Sequence, residues 1–385
     1  MFSRRTEWDL ATNRLTIAHQ EALSSGGQLI DLTISNPTRA ELRYDESAIL
    51  SGLSNPKTLD YDPQPKGMRS AREAVAQYYA SMVDPESLIL TTSTSEGYSF
   101  VFRLLCNPGD EILVPKPSYP LFDFLAELED VKLVPYPLIY DHGWQIDFHS
   151  LEAVLTANAR AIVLVHPNNP TGSYINAQER QRLNELCRQH QLALIVDEVF
   201  LDYSHDGQPQ PTFTANHETL TFTLSGISKI SALPQMKLAW IAVSGPPTDA
   251  AAAMQRLEEI ADTYLSLNAP IQLAAPVLLD QRKTIQPQLM HRVRANLAEL
   301  DRQLARQKSC SRLEVQGGWY DVLRIPATHS DEDFAIELLR RASVLVHPGH
   351  FYDFPNDGYL VLSLISPEHE FCTGIASLLN LASTL

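Results

Sequence analysis

Ala161-Ile162-Val163-Leu164-Val165 and, after the helical stretch Ala177 to His190, Ala193-Leu194-Ile195-Val196 decide the fold of this chain. Each run is short, apolar and rich in β-branched residues, with no polar alternation that would turn one face to water. Strands of that kind belong to a mostly parallel sheet covered on both faces, and the helical stretch between them supplies cover. The rhythm extends outward through Leu88-Ile89-Leu90-Thr91 and Glu111-Ile112-Leu113-Val114, and runs from about Leu88 to Ala242. An α/β fold is expected, with a large domain at residues 46–275. Past Pro270 the pattern changes to long polar-apolar helices, about Gln286 to Gln307, then to short strands and helices ending near Ser383. That predicts a smaller α/β C-terminal domain, residues 276–385. Residues 1–45 hold an amphipathic helix at about Thr6 to Ser25 and the strand-like Leu29 to Ile34. They are too few to fold alone and are expected to pack on the small domain.

Bulk properties narrow the function. At 385 residues the chain exceeds one compact core, and 44% hydrophobic with 20% charged residues is ordinary for a folded protein. A formal net charge of -16 opposes a nucleic acid or an anionic membrane as partner, since both call for a basic face. No run approaches the roughly 20 apolar residues that span a bilayer, and the N-terminus mixes Arg4, Arg5, Glu7 and Asp9. A cytoplasmic protein acting on small molecules is expected. Cys106, Cys187, Cys310 and Cys372 form no CxxC pair, so free thiols and no metal site are expected.

The chemistry-bearing stretch is Thr221-Phe222-Thr223-Leu224-Ser225-Gly226-Ile227-Ser228-Lys229, followed by Leu233-Pro234 and Lys237. A lysine directly after an apolar strand is placed for burial, which lowers its pKa and frees the amine to attack an aldehyde. A Ser-Lys pair alone is more often a surface turn. Here the whole segment resembles the Ser-x-Ser-Lys signature of fold-type I enzymes dependent on pyridoxal phosphate (PLP), the class I/II aminotransferases. The resemblance implies that Lys229 holds PLP as a Schiff base and shuttles a proton between substrate and cofactor. Two departures stand out. Lys237 occupies the place of an arginine that grips the cofactor phosphate, a point charge replacing a bidentate fork. Gly226 replaces a serine, leaving Ser225 or Ser228 to supply the hydroxyl.

Other segments follow in the family's order. His166-Pro167-Asn168-Asn169-Pro170-Thr171-Gly172 resembles the Asn-Pro-x-Gly turn, so Asn169 is implied at the cofactor's phenolic oxygen and, secondarily, near substrate. Taken alone it is also a good plain turn. Leu194-Ile195-Val196-Asp197 ends a buried strand in a carboxylate, and the resemblance implies that Asp197 pairs with the pyridine nitrogen. Phe200 stands where the family often has tyrosine, with Tyr203 as a possible substitute. Thr91-Thr92-Ser93-Thr94-Ser95-Glu96 opens a helix predicted over Tyr98 to Leu105, and free amides at such an end attract an anion. The resemblance assigns the phosphate to Ser93, Thr94 and Ser95. Tyr119, in Pro117-Ser118-Tyr119-Pro120, is implied to stack on the ring. Tyr61, in Tyr61-Asp62-Pro63, resembles the residue that reaches a partner subunit's phosphate, which implies a homodimer with shared sites.

The substrate end departs most. The strand Gly358 to Leu364 has Val361 where the family's carboxylate-binding arginine belongs, leaving Arg39, Arg43 and Arg324 as weak candidates. Asn36, in Ile34-Ser35-Asn36-Pro37, lies in the segment expected to close over substrate. His347 and His350 flank Pro348-Gly349, which breaks any shared metal-binding face. The expected function is amino-group transfer between an amino acid or related amine and a 2-oxo acid. A PLP-dependent β- or γ-eliminating lyase is the alternative, and a PLP-sensing regulatory module ranks last because 45 N-terminal residues leave no room for a DNA-binding domain.

Overall fold

The computed structural model describes residues 1–24, 26, 28–120 and 122–384. Eight strands form one sheet in the spatial order Leu88–Thr91, Ala239–Ser244, Thr221–Gly226, Ala193–Asp197, Ala159–Val165, Glu111–Lys116, Lys132–Tyr140, Trp144–Ile146. The five from Thr221–Gly226 to Lys132–Tyr140 run mutually parallel, Ala239–Ser244 is antiparallel to both of its neighbours, and Trp144–Ile146 closes an edge hairpin. Because strand side chains alternate, the apolar runs divide between two cores. Ile112, Val114, Val163 and Ile195 enter one, with Val101, Phe102 and Leu257 from covering helices. Leu113, Ile162, Leu164, Leu194 and Val196 enter the other, with Leu183 and Leu186 of the helix Ala177–His190. Both faces are covered, which is why the central strands are unbroken apolar runs apart from the buried Thr221, Thr223 and Ser225.

A separate four-stranded antiparallel sheet is ordered Ser311–Arg312, Tyr320–Arg324, Tyr359–Ser363, His347–Pro348. Helices Arg282–Leu304, Asp331–Ala342 and Glu368–Ala382 share its core. The N-terminal helix lies against Asp331–Ala342, and Ile30–Asp31 pairs in parallel with Val344–Leu345. No helix among the described residues is long and apolar enough to cross a membrane.

Element ends differ from expectation for identifiable reasons. The first helix spans Arg14–Ser24, not Thr6 onward, and Ser25 lies outside the described residues. Asp9 turns the chain by accepting from the amide of Ala11, and Asn13 Oδ1 accepts from the amide of Thr16, so the helix can start only after Asn13. The helix expected from Tyr98 begins at Thr94, where Ser93 caps it. Residue 275, an expected domain edge, falls inside the helix Ala269–Asp280, whose apolar face packs against helices Arg69–Tyr78 and Glu46–Leu53.

Candidate active site

A cavity of about 500 Å³ opens at the C-terminal ends of the parallel strands, the usual place for a ligand in an open α/β sheet. Lys229 lines it. The strand Thr221–Gly226 runs into a single helical turn, Ile227–Ile230, pinned by the amide of Ile227 donating to the carbonyl of Leu238 at 3.0 Å. The amine stands 5.6 Å from the ring centre of Phe200 and 5.1 Å from that of Trp319, with the carbonyl of Ser35 at 3.5 Å. Burial among these groups pushes its pKa down to about 8, against the opposing pull of Asp197. Much of the amine is therefore neutral, hence nucleophilic, near pH 8.

Asp197 lines the same cavity from the adjacent parallel strand. Its Oδ1 accepts from the amide of Val199 at 3.1 Å and its Oδ2 from the hydroxyl of Tyr98 at 3.3 Å. Burial raises its pKa to about 6, and these hydrogen bonds and Lys229 oppose the rise. A cation arriving beside it would keep it ionised. The two groups on which the expected chemistry depends thus share one enclosed space.

The helix Thr94–Leu105 aims its N-terminus into the cavity, with Ser93, Thr94 and Ser95 in the wall. Ser93 Oγ accepts from the amide of Glu96 at 3.1 Å, while Glu96 Oε2 accepts from the amide of Thr92 at 2.7 Å. The first-turn amides of Thr94 and Ser95, which no helical carbonyl can satisfy, remain to meet an anion. Asn169 also lines the cavity, and its buried Oδ1 has no hydrogen-bond partner among the described residues. The turn holding it needs its glycine. At Gly172, φ is +68° and an added Cβ would lie 2.5 Å from the carbonyl oxygen of Gly317. Tyr119 lines the cavity and is 45% exposed.

Of the two candidate hydroxyls, Ser228 lines the cavity, whereas Ser225 is buried and donates to the carbonyl of Glu198 at 3.3 Å. Serine is absent from position 226 for want of room, since a Cβ there would lie 2.9 Å from that of Ala239. Several expected residues are not in the wall. Lys237 is exposed at the end of the turn Pro234–Met236. Tyr61 is 84% exposed and lines a separate cavity with Leu265 and Asn268. Asn36 is exposed, its Oδ1 capping the turn Pro37–Arg39 through the amide of Thr38. Tyr203 does not replace the tyrosine lost at Phe200, because its hydroxyl donates to the carbonyl of Lys229 at 2.5 Å. Arg39, Arg43 and Arg324 all stand outside, Arg324 beside Tyr359. Val361 is wholly buried in the small sheet.

Some wall residues carry no signal of their own in the sequence. Tyr98 reaches Asp197 only because its helix starts a turn early, and Trp319 arrives at Lys229 from the distant end of the chain. Tyr320 and Tyr352 join the wall in the same way.

A parallel-sheet cavity holding a desolvated lysine, a buried carboxylate and a helix N-terminus defines an enzyme built to work on a bound aldehyde and an anion. The family "Aminotransferase class I and II" matches residues 28–368. The chain belongs to that family, whose members depend on PLP, and it is an aminotransferase. It is 27% identical over 379 residues to glutamate-pyruvate aminotransferase AlaA of Haemophilus influenzae, covering 94% of each chain. It is 26% identical over 381 residues to alanine aminotransferase of Mycobacterium tuberculosis, covering 94% of this chain and 88% of that one. Alanine aminotransferase from Pyrococcus furiosus shares the fold with a TM-score of 0.90 at 22% identity over the full length of both chains. Nothing in these similarities favours the lyase alternative.

Proposed function

We propose that this chain holds PLP in the cavity through Lys229 and transfers amino groups between an amino acid and a 2-oxo acid. The observation that carries the reading is the pairing of Lys229 and Asp197 on adjacent strand ends inside one cavity. The wall fits the cofactor: Asn169, whose side-chain N–H can donate, suits its phenolic oxygen, and the Ser93–Ser95 helix start suits its phosphate. Ser228 adds a hydroxyl and Tyr119 a ring to lie on the pyridine face.

When bound, PLP supplies an aldehyde that condenses with amines and a ring that draws electrons from the substrate α-carbon. Lys229 would hold the cofactor covalently, and its amine, once freed by the substrate amine, would hold the proton lost from the substrate α-carbon and pass it to the former aldehyde carbon. Asp197 would keep the ring nitrogen protonated, and Phe200 and Trp319 shield the amine from bulk water. Lys237 lies near enough in sequence to supplement the phosphate contacts from the rim. Tyr61, exposed on the outer surface, serves the partner subunit's phosphate in a homodimer. The free cysteines suit a cytoplasmic enzyme. Residues 1–45 pack on a small C-terminal domain and residues from 46 form the large one, with the boundary moved from 275 to Gln281.

Relatives named for glutamate, pyruvate and alanine make these the first donors and acceptors to test. Lys229→Ala is expected to remove the protein's yellow absorbance and its turnover together. Turnover that survives in that variant would overturn the reading.

A further inference from the structure

Every amino acid and 2-oxo acid substrate carries a carboxylate beside the reacting carbon, and no guanidinium lines this cavity to receive it. Among the described residues Lys229 and His347 are the only basic side chains in the wall, and Lys229 is committed elsewhere. His347 sits directly across the sheet from Val361, its register partner in the antiparallel pair of His347–Pro348 with Tyr359–Ser363. The residue facing the place of the missing arginine is therefore the one that reaches the cavity.

The ring is held in place. Its Nδ1 lies 3.1 Å from the hydroxyl of Tyr352, and the rings of Phe351 and Tyr352 flank it with centroids at 5.8 Å. Burial keeps the phenol of Tyr352 protonated and lowers the pKa of His347 to about 4 against the opposing charge of Asp31, so both groups are neutral near pH 7. Either partner can donate across this contact; with the phenol as donor to Nδ1, the ring proton stands on Nε2. Among the described residues Nε2 has no hydrogen-bond partner, and its ring lines the cavity. An oriented donor with nothing to bond is what a substrate anion requires.

Resting on the proposed chemistry at Lys229, we propose that His347 receives the substrate carboxylate through Nε2, doing with one imidazole what relatives would do with arginine. Tyr352 acts as a positioning residue that fixes the ring tautomer.

The test uses holoenzyme and two isosteric probes, propionate and propionamide, measured by calorimetry and as inhibitors of amino transfer. Wild type should prefer propionate. His347→Phe should weaken propionate binding about tenfold or more, the scale of one lost charge-assisted hydrogen bond, and bring it level with propionamide. The same variant should raise KM for the amino acid by a similar factor and change kcat far less. His347→Gln, which can return an N–H donor near the place of Nε2, should fall between, and His347→Arg should bind propionate at least as well as wild type. Unchanged propionate affinity and KM in folded, yellow His347→Phe and His347→Gln would overturn the proposal. Should the phenylalanine variant not fold, the glutamine variant decides. A colourless wild type would instead count against the Lys229 reading, and calorimetry of propionate against propionamide would still judge His347.

Discussion

The reactivity of Lys229 follows from where its side chain ends. With a pKa near 8, the neutral amine grows as pH rises through that value and changes little once pH is more than a unit above it. The rate at which cofactor-free protein captures PLP should rise with pH and level off about a unit above that pKa, as followed by the growth of visible absorbance. A rate still climbing at pH 10 would describe an ordinary exposed lysine. Asp197 gives a stability counterpart. Its folded pKa, near 6, lies above its unfolded value of 3.8, so the folded protein binds its proton more readily and loses stability as pH rises from about 4 to 6. Asp197→Asn should therefore raise the melting temperature of cofactor-free protein at pH 8 and leave it nearly unchanged at pH 4, while amino transfer falls steeply. At this scale the sequence was most informative about groups set in recognisable strings, such as Lys229, Asp197 and Asn169. It was silent on Tyr98 and Trp319, whose roles come from distance alone.

At the scale of elements, the strands were legible because burial on two faces demands unbroken apolar runs, and their limits differ from expectation by one or two residues. Helix starts were less so, since they depend on a single side chain's choice of partner. Ser93 is such a case, serving the cap of Thr94–Leu105 and the cavity wall together. Ser93→Ala should lower stability by about 1 kcal/mol through the lost cap. It should also weaken cofactor retention several-fold, because the first-turn amides lose their fixed direction. Thermal melting and equilibrium dialysis of the cofactor measure the two effects separately, and a loss of stability with unchanged retention would place the phosphate elsewhere. Gly226 shows the converse kind of legibility. Its departure from the family serine was plain in the sequence, but the reason, the methyl group of Ala239, lies on the neighbouring strand.

For the whole molecule, the exposed position of Tyr61 carries a prediction about assembly. Mixed dimers of Lys229→Ala and Tyr61→Ala subunits would contain one site with both residues intact. Activity should appear on mixing that neither variant shows alone; failure of subunit-exchanged mixtures to gain activity would assign Tyr61 a role within its own chain. Charge and length had indicated a small-molecule enzyme too long for one compact core. What sequence could not supply was how the divisions meet.

They meet at Lys229. Trp319 and Phe200 reach its amine from opposite parts of the chain, and the Gly317–Gly318 backbone is tied to the carbonyl of Gly172 and to that of Tyr203. A growing polypeptide that has made Lys229 but not Trp319 lacks part of the apolar surround that lowers the amine's pKa, and its lysine should take up an aldehyde more slowly. Cofactor loading should then wait for synthesis to pass the aromatic side chains of the wall, Tyr352 the last of them, and the colour doubles as a certificate of completed assembly.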